Sequence, residues 1–225
     1  MHTICAHLLC TRPTHADDAS RSPEPDRPET RGRSAAKPYA RVVTWLDTTL
    51  MHWVATHRFP LGDQVARGVM AAGSSLVVLA AAAFCCLTYV VVRRRYRLAA
   101  GVVLAVVVSM LVAELLKQFF GRSRPPASLA LVHASGLSMP STDAALTSAA
   151  AAVLVLGLTW LHPRRRRLVG AVLAAGVIAV GLCLIYLGAH WPTDVLAGWA
   201  LGIAAGAAAA AVTSPLRWGR RREMT

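Results

Sequence analysis

The sequence predicts an all-α protein: a polytopic membrane helical bundle of about five transmembrane helices, preceded by an interfacial helix. Composition is the first reason, since 55% of the residues are hydrophobic and only 16% are charged. Patterning is the second. The apolar residues form uninterrupted stretches rather than the short alternating runs of a soluble core. The third is the placement of arginines, which cluster at alternate ends of those stretches.

The first 38 residues differ in kind. Pro13, Pro23, Pro25, Pro28 and Pro38 are mixed with acidic residues and arginines, leaving too little apolar surface to offset the entropy of ordering. A disordered tail is expected over 1–38, and no signal peptide, because the first ten residues lack a basic flank and a long apolar run. Residues 39–66 form the next unit. Val42, Val43, Trp45, Leu46, Leu50, Trp53 and Val54 recur at roughly helical spacing, interrupted by Arg41, Asp47 and His52, which favours a helix lying in the membrane interface over a further span.

The transmembrane domain is expected over 67–216, with spans near 69–92, 98–116, 142–161, 168–189 and 194–213. At about 1.5 Å per residue, roughly 20 residues cross a hydrocarbon layer of about 30 Å. Lipid offers backbone amides no partner, so these runs must be helices; a closed barrel needs alternating segments of about ten residues. The last run is dominated by small residues from Ala204 to Ala211, suiting close approach of helix backbones.

Arg93, Arg94, Arg95 and Arg97 follow the first run, Arg164 to Arg167 the third, and Arg217, Arg220, Arg221 and Arg222, in the basic tail 217–225, the fifth. These ends share one face, expected to be cytoplasmic in a bacterial-type cell membrane, and five spans then put the N-terminal tail outside. The net charge of +13 is explained by topology and anionic headgroups; without interleaved aromatic residues it gives no nucleic-acid platform. The cysteines, Cys5, Cys10, Cys85, Cys86 and Cys183, show no metal-ligand spacing.

Chemistry gathers on the opposite, extracytoplasmic face. Lys117, Arg122 and Arg124, followed by Pro125, lie just past the second span, where fixed cations suit phosphate oxygens and arginine offers two-pronged contacts. Pro140 and Ser141 open the third span with Asp143 close behind, a helix start whose free amides and dipole favour an anion. His190 and Asp194 open the fifth; an imidazole there is a candidate nucleophile for phosphorus, and a carboxylate four residues later suits holding its other nitrogen as N–H.

Taken together, these segments resemble the type 2 phosphatidic acid phosphatase and vanadium haloperoxidase superfamily, whose pattern is Lys, six residues, Arg-Pro; then Pro-Ser-Gly-His; then Ser-Arg, five residues, His, three residues, Asp. The first element is complete at Lys117, Arg124 and Pro125, and the last keeps His190 and Asp194, in the run Tyr186-Leu187-Gly188-Ala189-His190-Trp191-Pro192-Thr193-Asp194. The resemblance covers about residues 60–213 and is nearest the bacterial membrane lipid-phosphatase branch. It implies His190 as the nucleophile forming a phosphohistidine, Asp194 as its orienter, and Lys117, Arg124 and Ser141 as phosphate ligands, with no metal or other cofactor.

Two positions depart from the pattern. Asp143 stands where the family has its second-motif histidine, and Cys183-Leu184 where it has Ser-Arg. Lys117 and Arg124 favour the ionised form of Asp143, a poor proton donor, and Arg122 is the expected substitute for the missing cation. The expected activity is hydrolysis of a membrane lipid phosphate, with preference for a polyprenyl diphosphate. The alternatives are a degenerate member that binds lipid phosphate or a partner without turnover, and an unrelated five-helix transporter or assembly factor.

Overall fold

A computed structural model describes residues 38–74, Thr88, 92–159 and 161–213. The expected tail, most of the expected first span and the basic segment 217–225 lie outside them. Six α-helices are described: α1 (Pro38–Thr56), α2 (Pro60–Ser74), α3 (Tyr96–Phe120), α4 (Thr142–Gly157), α5 (Pro163–Tyr186) and α6 (Pro192–Thr213), with a short 3-10 turn at Ala127–Leu129. The described residues belong to one compact unit.

Local chemistry sets the helix ends. α2, α5 and α6 each begin with proline, whose missing N–H and fixed φ suit a first helical position. α3 stops where Gly121 takes a left-handed φ of 58° and its N–H caps the Lys117 carbonyl. Ser141 caps α4, its hydroxyl accepting from the Ala144 N–H.

α3, α5 and α6 are long and apolar enough to cross a membrane, and α4 is apolar but shorter. The expected span 142–161 is thus cut back: α4 ends at Gly157, because His162 and Pro163 already cap and open α5. The segment 39–66 is likewise divided between two helices, with the break at His57–Phe59 before Pro60.

The bundle is small inside and large outside. Ala105, Ala149, Val153 and Ala209 form one buried cluster, whereas Val103, Leu111, Leu115, Phe119, Leu182 and Ile203 face outward, as expected of a protein solvated by acyl chains. α4 and α6 approach most closely. A Cβ added at Gly198, Gly202 or Gly206 would collide with the carbonyl oxygens of Ser141, Ala145 and Ala149 in turn, so a glycine at every fourth position brings the two backbones together.

The corner between α1 and α2 is tied to the same body. Arg58 donates to the carbonyls of Tyr186 (2.9 Å) and Leu129 (2.6 Å), and the Tyr186 hydroxyl donates to Asp63 at 2.8 Å. The C-terminal end of α3 and the N-terminal ends of α4 and α6 therefore meet at one end of the bundle. The arginines at 94–97 and 164–167 lie at the other.

Candidate active site

His190 closes the turn between α5 and α6. Gly188 takes φ 72° there, and a Cβ on it would strike the Leu129 carbonyl, so only glycine lets this turn press against the 3-10 segment. The imidazole is 3% exposed. Its Nδ1 lies 2.9 Å from the carbonyl oxygen of Ser138. A carbonyl can only accept, so Nδ1 carries the hydrogen and Nε2 keeps its lone pair.

Arg124 stands on that lone pair. Its Nη1 is 3.2 Å from His190 Nε2 and donates to the Ala189 carbonyl at 2.7 Å, while Nε donates to the Ser135 carbonyl at 2.9 Å. Burial holds the guanidinium below the ordinary arginine value, and the carboxylates of Asp143, Asp194 and Glu114 push it back up.

Asp194 is fully buried, but its position differs from the expectation. Its Oδ2 is 3.8 Å from His190 Nδ1, beyond a hydrogen bond, and accepts instead from the Trp191 N–H at 2.9 Å. Its Oδ1 accepts from Arg122 at 2.8 Å. Both oxygens are already engaged, so the Ser138 carbonyl holds the ring at Nδ1 and the Asp194 carboxylate lies beside it without a hydrogen bond.

Arg122 likewise has its own partners. It donates to Asp194, to the Thr193 hydroxyl at 2.6 Å and to Asp47, and its guanidinium lies 5.4 Å from the Trp191 ring. Sequence reasoning missed Asp47, treating it as a polar interruption of an interfacial helix. It is fully buried, and besides Arg122 it accepts from the Thr193 N–H (3.1 Å) and hydroxyl (2.6 Å). The available signal was a lone acid in the most apolar part of α1, which needs a buried cation somewhere.

Lys117 and Ser141 also reach this end. Lys117 pairs with Glu114 at 2.8 Å, and Glu114 accepts from the Thr142 hydroxyl at 3.1 Å, joining the end of α3 to the start of α4. Ser141 is buried and donates its backbone N–H to the Asp194 carbonyl at 3.0 Å. Asp143 is exposed in the first turn of α4, a favourable place for an anion at a helix start. Leu184 packs with Ala144, Ala189 and Val195 in an apolar cluster directly beneath the turn. Beside Arg124 a hollow of about 300 Å³ opens between Pro125, Leu131, His133 and Gly188.

The profile of the PAP2 superfamily matches residues 98–218, more than half of the chain and all of this site except Asp47. The chain belongs to the PAP2 superfamily. Among curated PAP2-type relatives it is 37% identical over 99 residues to phosphatidylglycerophosphatase B of Bacillus subtilis, and 31% identical over 101 residues to undecaprenyl-diphosphatase of Sulfolobus acidocaldarius. These matches cover 41% and 43% of this chain and span about half the length of the relatives, 47% and 46%.

Two solved structures share the PAP2 architecture. A transmembrane PAP2-type phosphatidylglycerolphosphate phosphatase from Bacillus subtilis superposes with TM-score 0.67 at 24% identity, covering 76% of this chain and 86% of that one. LpxE of Aquifex aeolicus superposes with TM-score 0.59 at 27% identity, covering 73% and 94%. The expected all-α membrane fold is therefore the fold of the family.

Proposed function

We propose that the protein is a membrane lipid phosphatase that works through a phosphohistidine at His190. One observation carries this reading: a buried imidazole with Nδ1 committed as donor turns its Nε2 lone pair toward the Arg124 guanidinium, where a phosphoryl group would be held. The names of the curated relatives, one a phosphatidylglycerophosphatase and the other an undecaprenyl-diphosphatase, support the same substrate class.

In the proposed reaction, Arg124 and Lys117 neutralise the non-bridging oxygens and the N-terminal amides of α4 add their dipole. Nε2 attacks phosphorus, the N–P bond forms, and the bond to the leaving oxygen breaks. The ring then carries positive charge, held by the Ser138 carbonyl at Nδ1 and by the nearby Asp194 carboxylate. Water displaces the phosphoryl group, releasing inorganic phosphate and neutral His190. Arg122, with two carboxylates as partners, serves as the bridge that fixes Asp194 rather than as the substitute phosphate ligand.

The departures from the family pattern shape the substrate preference. General acid catalysis contributes typically ~10²–10⁴-fold, and the exposed carboxyl group of Asp143, standing where the family pattern has an imidazole, supplies little of it. A leaving group that is itself a phosphate, with a second pKa of about 6, departs without strong protonation. A polyprenyl diphosphate is therefore the preferred substrate over a monoester such as phosphatidate. The site faces the extracytoplasmic side, since the basic helix ends lie at the opposite end of the bundle.

The decisive experiment presents detergent-purified protein and its His190→Ala variant with a panel of lipid mono- and diphosphates. Release of phosphate by the parent and none by the variant is expected, with diphosphates faster; release that survives in the variant overturns the mechanism, and faster phosphatidate cleavage overturns the preference. A second reading, binding without turnover, is favoured by Leu184 lying in apolar packing where the family pattern has arginine. It predicts no release by the parent and headgroup binding that persists in His190→Ala.

A further inference from the structure

At the end of the bundle opposite His190, a cavity of about 540 Å³ is formed by the N-terminal end of α3 and the C-terminal ends of α4 and α6. Its rim carries Arg94, Arg95 and Arg97, and its walls include Leu98, Leu156 and Ala210. α3 separates this cavity from the candidate active site by its full length, about 37 Å at 1.5 Å per residue. The reaction proposed above makes no use of it.

We propose that this cavity binds an anionic phospholipid, with the headgroup phosphate at the arginine rim and an acyl chain along the apolar wall. Two features favour that occupant. The rim is built from three cations within four residues, and the chain there turns sharply through Arg94, whose φ of 50° is unusual for a residue other than glycine. The first amides of α3 open at the same rim, adding a helix dipole that favours an anion.

The walls argue against a soluble anion. Leu98, Val153, Leu156 and Ala210 make the walls hydrocarbon-like, and Arg166, in the second arginine cluster, donates to the Val155 carbonyl at 3.1 Å, which keeps that cluster at the same end. A cation-rimmed pocket between membrane helices is the setting in which anionic headgroups are held. The proposed reaction makes no use of this cavity, so a lipid that carries charge without being a substrate suffices as its ligand. A phosphodiester such as phosphatidylglycerol meets that description, because it has no terminal phosphoryl group to release.

The test is native mass spectrometry of the full chain in detergent, titrated with phosphatidylglycerol, with phosphatidylcholine of the same acyl chains, and with soluble glycerophosphoglycerol. The parent is expected to bind phosphatidylglycerol far more tightly than either of the others. The double variant Arg94→Gln, Arg97→Gln should lose affinity roughly 30-fold, from about 1 kcal/mol per arginine near a membrane surface, and should release phosphate from a lipid diphosphate at the parental rate in detergent without added phosphatidylglycerol. Leu156→Trp fills the cavity without changing charge and should weaken binding as well; its melting temperature without lipid checks that it folds. Arg124→Gln, at the other end, should bind as the parent does. Unchanged affinity in both cavity variants, equal binding of phosphatidylcholine or of the soluble headgroup, or loss of binding in Arg124→Gln would overturn the proposal.

Discussion

Asp47 and Arg122, separated by 75 residues, form an ion pair, its carboxylate buried and its guanidinium partly so, that joins α1 to the base of the candidate active site. The same carboxylate holds the Thr193 N–H and hydroxyl, and Arg122 passes the contact on to Asp194. A helix that from its sequence lies flat in the interface is thereby built into the wall behind His190.

Replacing Asp47 with Ala should therefore damage activity and folding together. Thr193 and Arg122 lose their shared partner, at a cost of about 3 kcal/mol, the low end for breaking a buried pair because Arg122 keeps Asp194. A displacement of the His190 turn by about 1 Å lowers kcat about 10²-fold. Thermal melting and steady-state kinetics on one lipid phosphate check both. Arg58→Ala, which frees the α1–α2 corner from Tyr186 and Leu129, should lower the melting temperature while sparing kcat by comparison.

Arg122→Ala leaves Asp47 and Asp194 buried without their cation and should destabilise by roughly 3–5 kcal/mol. In a double-mutant cycle with Asp47→Asn, the two changes should couple by about 1–3 kcal/mol. Additive effects would mean that Arg122 acts elsewhere.

Arg124→Lys keeps a charge but removes the planar fork that spans Ser135, Ala189 and His190. Phosphate release should fall on the order of 10²–10³-fold, as for loss of one preorganised donor, with the melting temperature little changed. A drop in melting temperature without loss of rate would make the residue structural.

Restoring the family's arginine by Leu184→Arg should not restore activity. The side chain would enter a cluster of Ala144, Ala189 and Val195, which offers no counter-charge, and burial of an unpaired cation is strongly unfavourable. A lower melting temperature and no rise in rate are expected; a faster enzyme would show that the cluster opens to the phosphate.

Much of the site was legible before its geometry. The spacing of Lys117, Arg124 and Pro125 past one helix, with His190 and Asp194 at the start of another, pointed to one bundle end, and Arg124 does reach His190 Nε2 at 3.2 Å. Less legible was what each group is bonded to. The four-residue spacing of His190 and Asp194 suggests a direct hydrogen bond, yet Trp191 and Arg122 engage the carboxylate and a backbone carbonyl, which has no residue-type signature, takes Nδ1. Asp47 was hidden because its partners lie 75 and 146 residues away, and no periodicity within α1 encodes them. The end of α4 was misjudged for a local reason: the apolar run continues past Gly157, but His162 and Pro163 already cap and open α5.

The glycines at 198, 202 and 206 have a consequence for how the lipid is received. With backbone lying on backbone, α4 and α6 can neither roll nor slide against each other without collision, so Ser141 and Asp194 form a stiff floor. Accommodation of headgroups of different girth then falls to the exposed positions of the 121–140 connection above it, such as His133 and Gly136, and not to Arg122, Arg124 or Ser138, which hold the turn of His190.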